Sequence, residues 1–249
     1  MAFRVVARLD IKPPALVKGV HMEGLRKLGD PSDFARRYYE QGADEVIYQD
    51  IVASLYGRNG IGALVTTTAE SVFVPITVGG GIRTISDAAQ MIRNGADKVC
   101  LNTAAIKSSS LITEISQLLG SQAVVIGIEA KRLKGGWTAM TDCGREHTGR
   151  DVLEWVVEAQ DHGAGEILLT SIDREGTLTG FDIELITAVR GVTQLPLIAH
   201  GGAGSPVDAV KAFDAGASAV AIASAFHYNR FTVSDFKRAL LDANIEVRT

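Results

Sequence analysis

A repetition constrains this chain more than any other feature of it. Val74-Pro75-Ile76 recurs as Leu195-Pro196-Leu197, and Gly80-Gly81 recurs as Gly201-Gly202. Asp87-Ala88 returns as Asp208-Ala209, Gly95-Ala96 as Gly216-Ala217, and Thr103-Ala104 as Ser224-Ala225, all at an offset of 121 residues (80 to 201). The same offset carries Gly42-Ala43 and Glu45 onto Gly163-Ala164 and Glu166. An offset of 119 (10 to 129) carries Asp10-x-Lys12 onto Glu129-x-Lys131. Successive α/β units resemble one another in any case, but one near-constant register over half the chain argues for a duplicated half.

The repeated unit has a readable shape. In Val74–Ala105 a β-branched run ends in Gly79-Gly80-Gly81, an amphipathic stretch follows, and a second apolar run ends at Asn102-Thr103. That is strand, glycine turn, helix and strand. Eight strands are expected at Arg4–Asp10, Glu45–Asp50, Ile76–Gly79, Lys98–Asn102, Ala123–Glu129, Glu166–Ser171, Leu195–His200 and Ala219–Ala223. Helical patterns lie near Pro31–Gln41, Gly60–Ser71, Ile85–Asn94, Ser109–Gly120, Gly149–His162, Asp182–Val192, Pro206–Ala215 and Val233–Ala243. Strand followed by helix eight times over 249 residues favours an α/β fold of the closed (β/α)8 TIM-barrel type, built from two (β/α)4 halves as one domain over residues 1–249. Runs such as VVIGI and AVAIA are apolar on both faces, as barrel strands covered by helices should be. Two long segments, Ile11–Asp30 and Ala130–Thr148, follow strand ends on the face where barrel active sites are built and are expected to be lid loops.

Composition removes several classes of function. A net charge of −4 without a basic block gives no footprint for nucleic acid. Cys100 and Cys143 are the two cysteines, without CxxC spacing or a nearby histidine cluster, so neither a disulfide framework nor a metal site is expected, and no other cofactor is implied. No run is long enough for a membrane span and the chain enters a strand-like run at Phe3, so the expected location is a reducing cytoplasm.

Glycines at a strand's C-terminal end let backbone N–H groups approach an anion, and the next helix favours negative charge; the same turn can also serve geometry alone. The repeat sharpens this. A phosphate site at Gly80, Gly81, Asn102 and Thr103 predicts a matching one at Gly201, Gly202, Ala223 and Ser224, so the fitting ligand is long and carries a phosphate at each end. Asp10 and Glu129 end opposed strands, which suits general acid/base work across a bound substrate. The alternative is simple pairing with Lys12 and Lys131. Counting back by two from Asp10 places Arg8 inside the barrel, where it must be paired; the two carboxylates are its expected partners, which would favour their ionised forms.

Other residues remain two-sided at this level. Lys18 is either a mobile phosphate clamp or a solvated lysine. Thr170 and Ser171 end the sixth strand, and Asp173–Thr177, with Glu175 and Gly176, forms the loop that follows; hydroxyls there either bond a polyol, activate a small nucleophile or only cap backbone. His200, beside Gly201, is either structural or part of the site. Arg4, Glu45, Lys98 and Glu166 open four strands and would meet at the barrel bottom, as a stabilising salt-bridge ring or as something functional.

Motifs along the whole chain are similar to those of a known family. LDIK at Leu9–Lys12, LVKG at Leu16–Gly19, GDP at Gly29–Pro31, GADE at Gly42–Glu45 and TVGGGIR at Thr77–Arg83 are followed by GADKV at Gly95–Val99 and NTAA at Asn102–Ala105. GAGEILLTSIDREGT at Gly163–Thr177, GGAG at Gly201–Gly204 and Phe226-His227 complete the set. The chain thus resembles the cyclase subunit of imidazole glycerol phosphate synthase. The resemblance implies ammonia supplied by a glutaminase subunit at the N-terminal face, passed through the barrel and added to a bisphosphorylated formimino ribonucleotide. It makes Asp10 and Glu129 the acid/base pair, turns Arg4, Glu45, Lys98 and Glu166 into an ammonia gate, and puts Asp97 near the glutaminase.

Departures from that family's pattern concentrate in the site. The family usually has Asp at the positions of Glu129 and Glu175, Ser at His200 and Cys at Arg8. Arg8 and His200 are therefore candidate specificity residues. Two alternatives follow: a paralogue that delivers glutaminase-derived ammonia to another acceptor, such as a nucleotide sugar of surface-polysaccharide synthesis, and a non-catalytic scaffold that activates a glutaminase.

Overall fold

Alternation within the strands sets the architecture, because each strand must satisfy an inner and an outer layer at once. The computed structural model describes residues 2–53 and 60–248; Met1 and Thr249, the limits of the expected domain, lie outside them. The strands are β1 (Arg4–Lys12), β2 (Ala15–Val20), β3 (Glu23–Gly29), β4 (Glu45–Asp50), β5 (Ile76–Gly79), β6 (Lys98–Leu101), β7 (Val124–Leu133), β8 (Gly136–Thr141), β9 (Glu146–Asp151), β10 (Glu166–Ser171), β11 (Leu197–His200) and β12 (Ala219–Ile222). Hydrogen bonding runs β1-β4-β5-β6-β7-β10-β11-β12 and returns to β1, with every one of these pairs parallel. The ring is closed. Helices cover its outside, as the sequence periodicity predicts: α1 (Pro31–Glu40), α2 (Gly62–Ala69), α3 (Ile85–Arg93), α4 (Thr103–Lys107), α5 (Ser110–Leu119), α6 (Val152–Asp161), α7 (Ile183–Arg190), α8 (Val207–Asp214), α9 (Ser224–His227) and α10 (Val233–Asp242).

Two cores follow from the alternation. Val5, Ala7 and Leu9 of β1 face outward into the large apolar cluster shared with the helices, which also holds Tyr38, Trp155 and Phe236. Val6 faces inward to a separate cluster with Ile47, Cys100, Val125, Leu168, Ile198, Ala219 and Ala221, which fills the barrel axis. Below that plug lies the charged ring; above it lie Arg8, Asp10 and Glu129.

The repeat extends to individual hydrogen bonds. Asp87 at the start of α3 accepts from the backbone N–H of Arg83 and Thr84 at 2.9 and 3.0 Å. Asp208, its counterpart at the start of α8, accepts from Gly204 and Ser205 at 3.0 and 2.9 Å. Both carboxylates satisfy N–H groups that a helix start leaves unpaired. The aspartates of the GAD motifs do similar work at the barrel bottom, Asp44 accepting from Val5 N and Asp97 from Ile76 N, each at 2.8 Å.

The two long segments are not loops. β1 runs on to Lys12 and pairs antiparallel with β2, which pairs with β3. β7 runs on to Leu133 and pairs antiparallel with β8, which pairs with β9. Apolar and β-branched residues along Ala15–Val20 and Trp137–Thr141 support extended backbone, and pairing satisfies main-chain groups that an irregular lid would leave to solvent. The two hairpins meet over the barrel mouth, where Met22, Met140 and Ile172 pack together.

Candidate active site

The bottom of the barrel is a closed ring of charge. Arg4 pairs with Glu45 (3.0 Å) and with Glu166, while Lys98 reaches Glu45 at 3.0 Å and Glu166 at 2.8 Å. Two cations and two carboxylates alternate, so each charge has two opposite neighbours. Thr77 adds a hydroxyl donor to Glu45.

At the mouth, Asp10 and Glu129 lie where β1 and β7 leave the barrel for their hairpins, four strands apart in the ring of eight. Their environments differ sharply. Arg8 Nε donates to Asp10 Oδ1 at 3.0 Å, and Lys18 Nζ stands 3.8 Å from Oδ2. Burial by itself would push the Asp10 carboxyl up; the charges of Arg8 and Lys18 outweigh it and hold the group below its ordinary value. Glu129 accepts the Gly144 N–H at 2.9 Å, and the Asn102 side chain also favours its ionised form. Burial dominates there, with Arg8 opposing, and the carboxyl is pushed up to about 7. Arg8 favours the ionised form of both carboxylates, as expected, but it pairs directly with Asp10, and at Glu129 desolvation outweighs it. Neither carboxylate pairs with the lysine two positions on, since Lys131 binds Asp173 and Lys12 is exposed.

The glycine turns lie where the repeat places them. Gly80 has φ +95°, and a Cβ on it would stand 2.2 Å from the Asp50 carbonyl oxygen at the end of β4. Gly201 has φ +97°, and its Cβ would stand 2.6 Å from the carbonyl of Ser171 at the end of β10. Only glycine fits either turn. Each turn opens into a cavity. One of about 320 Å³ gathers Gly80, Gly81, Asn102 and Thr103 with Glu129. The other, of about 10 Å³, gathers Gly201, Gly202, Ala223 and Ser224 with Lys18, Glu175, Gly176 and His200. Asn102 Oδ1, in the first cavity, is buried with no hydrogen-bond partner among the described residues.

Several two-sided residues now have definite places. Lys18 is 1% exposed, so the solvated alternative is excluded; it pairs with Glu175, which also accepts from Met22 N at 2.8 Å. Ser171 donates to Asp182, the residue that caps α7, at 3.2 Å. Thr170 is tied to Arg8 and His200: Arg8 Nη1 donates to its Oγ1 at 3.0 Å and lies 3.1 Å from His200 Nδ1. His200 is buried, and burial, followed by the charge of Arg8, holds its pKa well below the ordinary value. Gln49, Asp142, Cys143 and Lys107 also line the larger cavity and were not anticipated. Gln49 was findable, since counting by two from Glu45 along β4 reaches it. Asp142 and Cys143 were not, because they enter from the β8–β9 turn.

Two matched glycine turns thus open on one barrel mouth, Glu129 lining one cavity and Glu175 the other. Comparison with known proteins decides the family. The histidine biosynthesis protein family matches residues 4–232. The imidazole glycerol phosphate synthase subunit HisF of Legionella pneumophila is 60% identical over 202 residues, covering 81% of this chain and 95% of that protein. The chain belongs to the HisF family. The subunit of the same name from Beutenbergia cavernae is 49% identical over 254 positions, covering 100% of this chain and 99% of its own. The one from Thermotoga sp. (strain RQ2) is 47% identical over 248, covering 100% and 98%. Among the described residues no group of His, Cys, Asp and Glu could hold a metal ion, and no helix is long and apolar enough to cross a membrane.

Proposed function

We propose that the chain is the cyclase subunit of an imidazole glycerol phosphate synthase. It takes ammonia from a glutaminase subunit and converts a bisphosphorylated formimino ribonucleotide into imidazole glycerol phosphate and aminoimidazole carboxamide ribonucleotide. The observation that carries this reading is the split pair of buried carboxyls above two matched glycine turns, in a chain of the HisF family. A group held ionised beside one held protonated near neutrality is what an acid/base pair requires. Asp10 accepts the proton that ammonia releases on adding to the substrate. Glu129 donates to the nitrogen that leaves when the ring closes and the chain is cleaved. One phosphate lies at Gly80, Gly81, Asn102 and Thr103 and the other at Gly201, Gly202, Ala223 and Ser224, with Lys18, Thr170, Ser171, Glu175 and Gly176 closing the second. Arg4, Glu45, Lys98 and Glu166 gate ammonia from a glutaminase seated on the N-terminal face, in the cytoplasm.

A second reading has a specific observation in its favour. Arg8 fills the barrel axis above the apolar plug, and a cation on the route changes what can pass and what can bind. A paralogue using the same ammonia for another acceptor would retain the gate while altering this layer. The purified chain, the bisphosphate substrate and an ammonium salt separate the readings. Turnover supports the cyclase. No turnover, together with failure to rescue a histidine-requiring strain that lacks its own cyclase subunit, favours the paralogue. Glutaminase stimulation without turnover would make the chain a scaffold.

A further inference from the structure

Arg8 and His200 occupy places where the repeat puts Gly127 (offset 119) and Gly79 (offset 121) in the other half. They are joined to each other. Arg8 Nη1 lies 3.1 Å from His200 Nδ1 and 3.0 Å from Thr170 Oγ1, and Thr170 Oγ1 is 3.2 Å from the same ring nitrogen. We propose that Arg8 is a positioning residue that locks His200 with its proton on Nε2, making this N–H a donor to the substrate phosphate held at Gly201, Gly202 and Ser224.

The guanidinium has donors and no acceptor, so Nδ1, facing it, must be the accepting nitrogen. Thr170 accepts from the same Arg8 nitrogen, so the guanidinium fixes the hydroxyl and the ring together and its N–H takes the single Nδ1 lone pair. A neutral imidazole carries one N–H, and here it must be on Nε2. That nitrogen has no hydrogen-bond partner among the described residues, while the ring lines the small cavity with Gly201 and Ser224. An Nε2–H that no protein group engages is free to make a charge-assisted hydrogen bond to a phosphate oxygen.

The ring is kept neutral by its surroundings. Burial acts first, then the positive charges of Arg8 on β1 and Lys18 on β2, with His227 of α9 adding to them. The acidic groups packed around Arg8 are Asp10 on β1, Glu129 on β7 and Glu175 in the loop after β10. Asp10 takes Arg8 Nε, and Glu175 takes Lys18. The cavity of about 10 Å³ is smaller than a phosphate, so binding opens the Lys18–Glu175 pair that closes it.

The test uses the full chain labelled with nitrogen-15, with the His200 signals assigned by their loss in His200→Gln. Between pH 5 and 9 the wild type should show the Nε2–H form without titrating, and inorganic phosphate should shift the Nε2 signal. In Arg8→Met the ring should begin to titrate or populate the other tautomer. An Nδ1–H form in the wild type, titration near pH 6.5, no response to saturating phosphate, or an unaltered ring in a folded Arg8→Met would each overturn the proposal. If Arg8→Met does not fold, the wild-type spectrum and phosphate titration still decide.

A second arm rests on the proposed reaction. His200→Leu should raise KM for the bisphosphate about tenfold, as for one lost hydrogen bond to a charged group, and change kcat less. His200→Gln, whose amide reaches the place of Nε2–H, should recover most of the loss. Equal KM in the two variants would also overturn the proposal. Absence of turnover with the tautomer and phosphate shift intact would sink the reaction and leave the donor role standing.

Discussion

The two halves of this barrel share a scaffold and differ in what fills it. In the first half, Gly80 turns against the Asp50 carbonyl and opens on a cavity of about 320 Å³; in the second, Gly201 turns against the Ser171 carbonyl and opens on one of about 10 Å³. Asp50 and Ser171, like Gly80 and Gly201, are 121 residues apart. The backbone has therefore been copied with its close approaches, and the difference is one of side chains. His200 of the second half stands where the first has Gly79, Arg8 of the first stands where the second has Gly127, and Lys18 and Glu175 close what remains of the smaller cavity. Duplication preserves the places where only glycine fits, because any Cβ there collides with main chain. It leaves the inward positions free to diverge, and chemistry is installed there.

The largest expected effect is at the carboxylates that the repeat pairs. Asp10→Asn should cost about 10³-fold in cyclase turnover, within the range for a positioned acid/base group. It should also cost about 3–5 kcal/mol in stability, since it leaves the buried Arg8 guanidinium without its carboxylate. Turnover with ammonium salts and urea unfolding read the two separately. A near-normal rate would remove Asp10 from the mechanism.

Glu129→Gln should lower turnover comparably but move stability the other way. The Glu129 carboxyl is raised from its ordinary value to about 7 by burial, with Arg8 opposing. Between these values the folded state keeps a proton that the unfolded chain has released, so stability falls as pH rises through about 7. A glutamine removes the titration, and the variant should gain on the wild type with rising pH, by on the order of 3 kcal/mol above pH 7. Asp10, with its pKa lowered, has the opposite sign: its contribution is present above the unfolded value and lost as pH falls through the folded one. Thermal unfolding from pH 5 to 9 checks both. As the general acid, Glu129 should also impose a basic limb near pH 7 on kcat/KM, and a flat profile there would break the assignment.

The glycine turns come next. Alanine at Gly80 must adopt φ near +95° and push against the Asp50 carbonyl, and alanine at Gly201 does the same against Ser171. Each should lose about 1–3 kcal/mol and raise KM for the bisphosphate. Gly201→Ala should do the greater harm, because its half has no spare volume to absorb the shift. Equal losses would mean that the open cavity is as rigid as the filled one.

Much of this was legible in the sequence. Strand bounds at Glu45–Asp50, Ile76–Gly79 and Glu166–Ser171 are those of the structure, because β-branched runs bounded by glycine leave little freedom. The placing of Arg8 inside the barrel followed from counting by two, and the two glycine turns from the offset. The rest depended on pairings across long sequence separations. The two hairpins read as loops because their partners, not their own periodicity, make them sheet. The burial of Lys18 depends on Glu175, 157 residues away, and the split between Asp10 and Glu129 depends on which of them the guanidinium lies against.

The smallest effect tests the copied scaffold itself. α3 begins with a reciprocal cap: Thr84 Oγ1 accepts from Asp87 N at 3.1 Å, while the Asp87 carboxylate accepts from Thr84 N at 3.0 Å. At α8 the returning half is present, since Asp208 accepts from Ser205 N at 2.9 Å, but the Ser205 hydroxyl donates to the Asp208 carboxylate at 3.2 Å instead of accepting a backbone N–H. Thr84→Ala removes a capping acceptor and should cost about 1 kcal/mol. Ser205→Ala removes one donor to a carboxylate that keeps two backbone donors and Lys211 at 3.4 Å, so its cost should be about half as large or less. Urea unfolding of the two variants side by side gives the difference. Equal costs would mean that the helix starts after the two glycine turns are energetically as alike as their backbones, and that the halves diverge only inside the barrel.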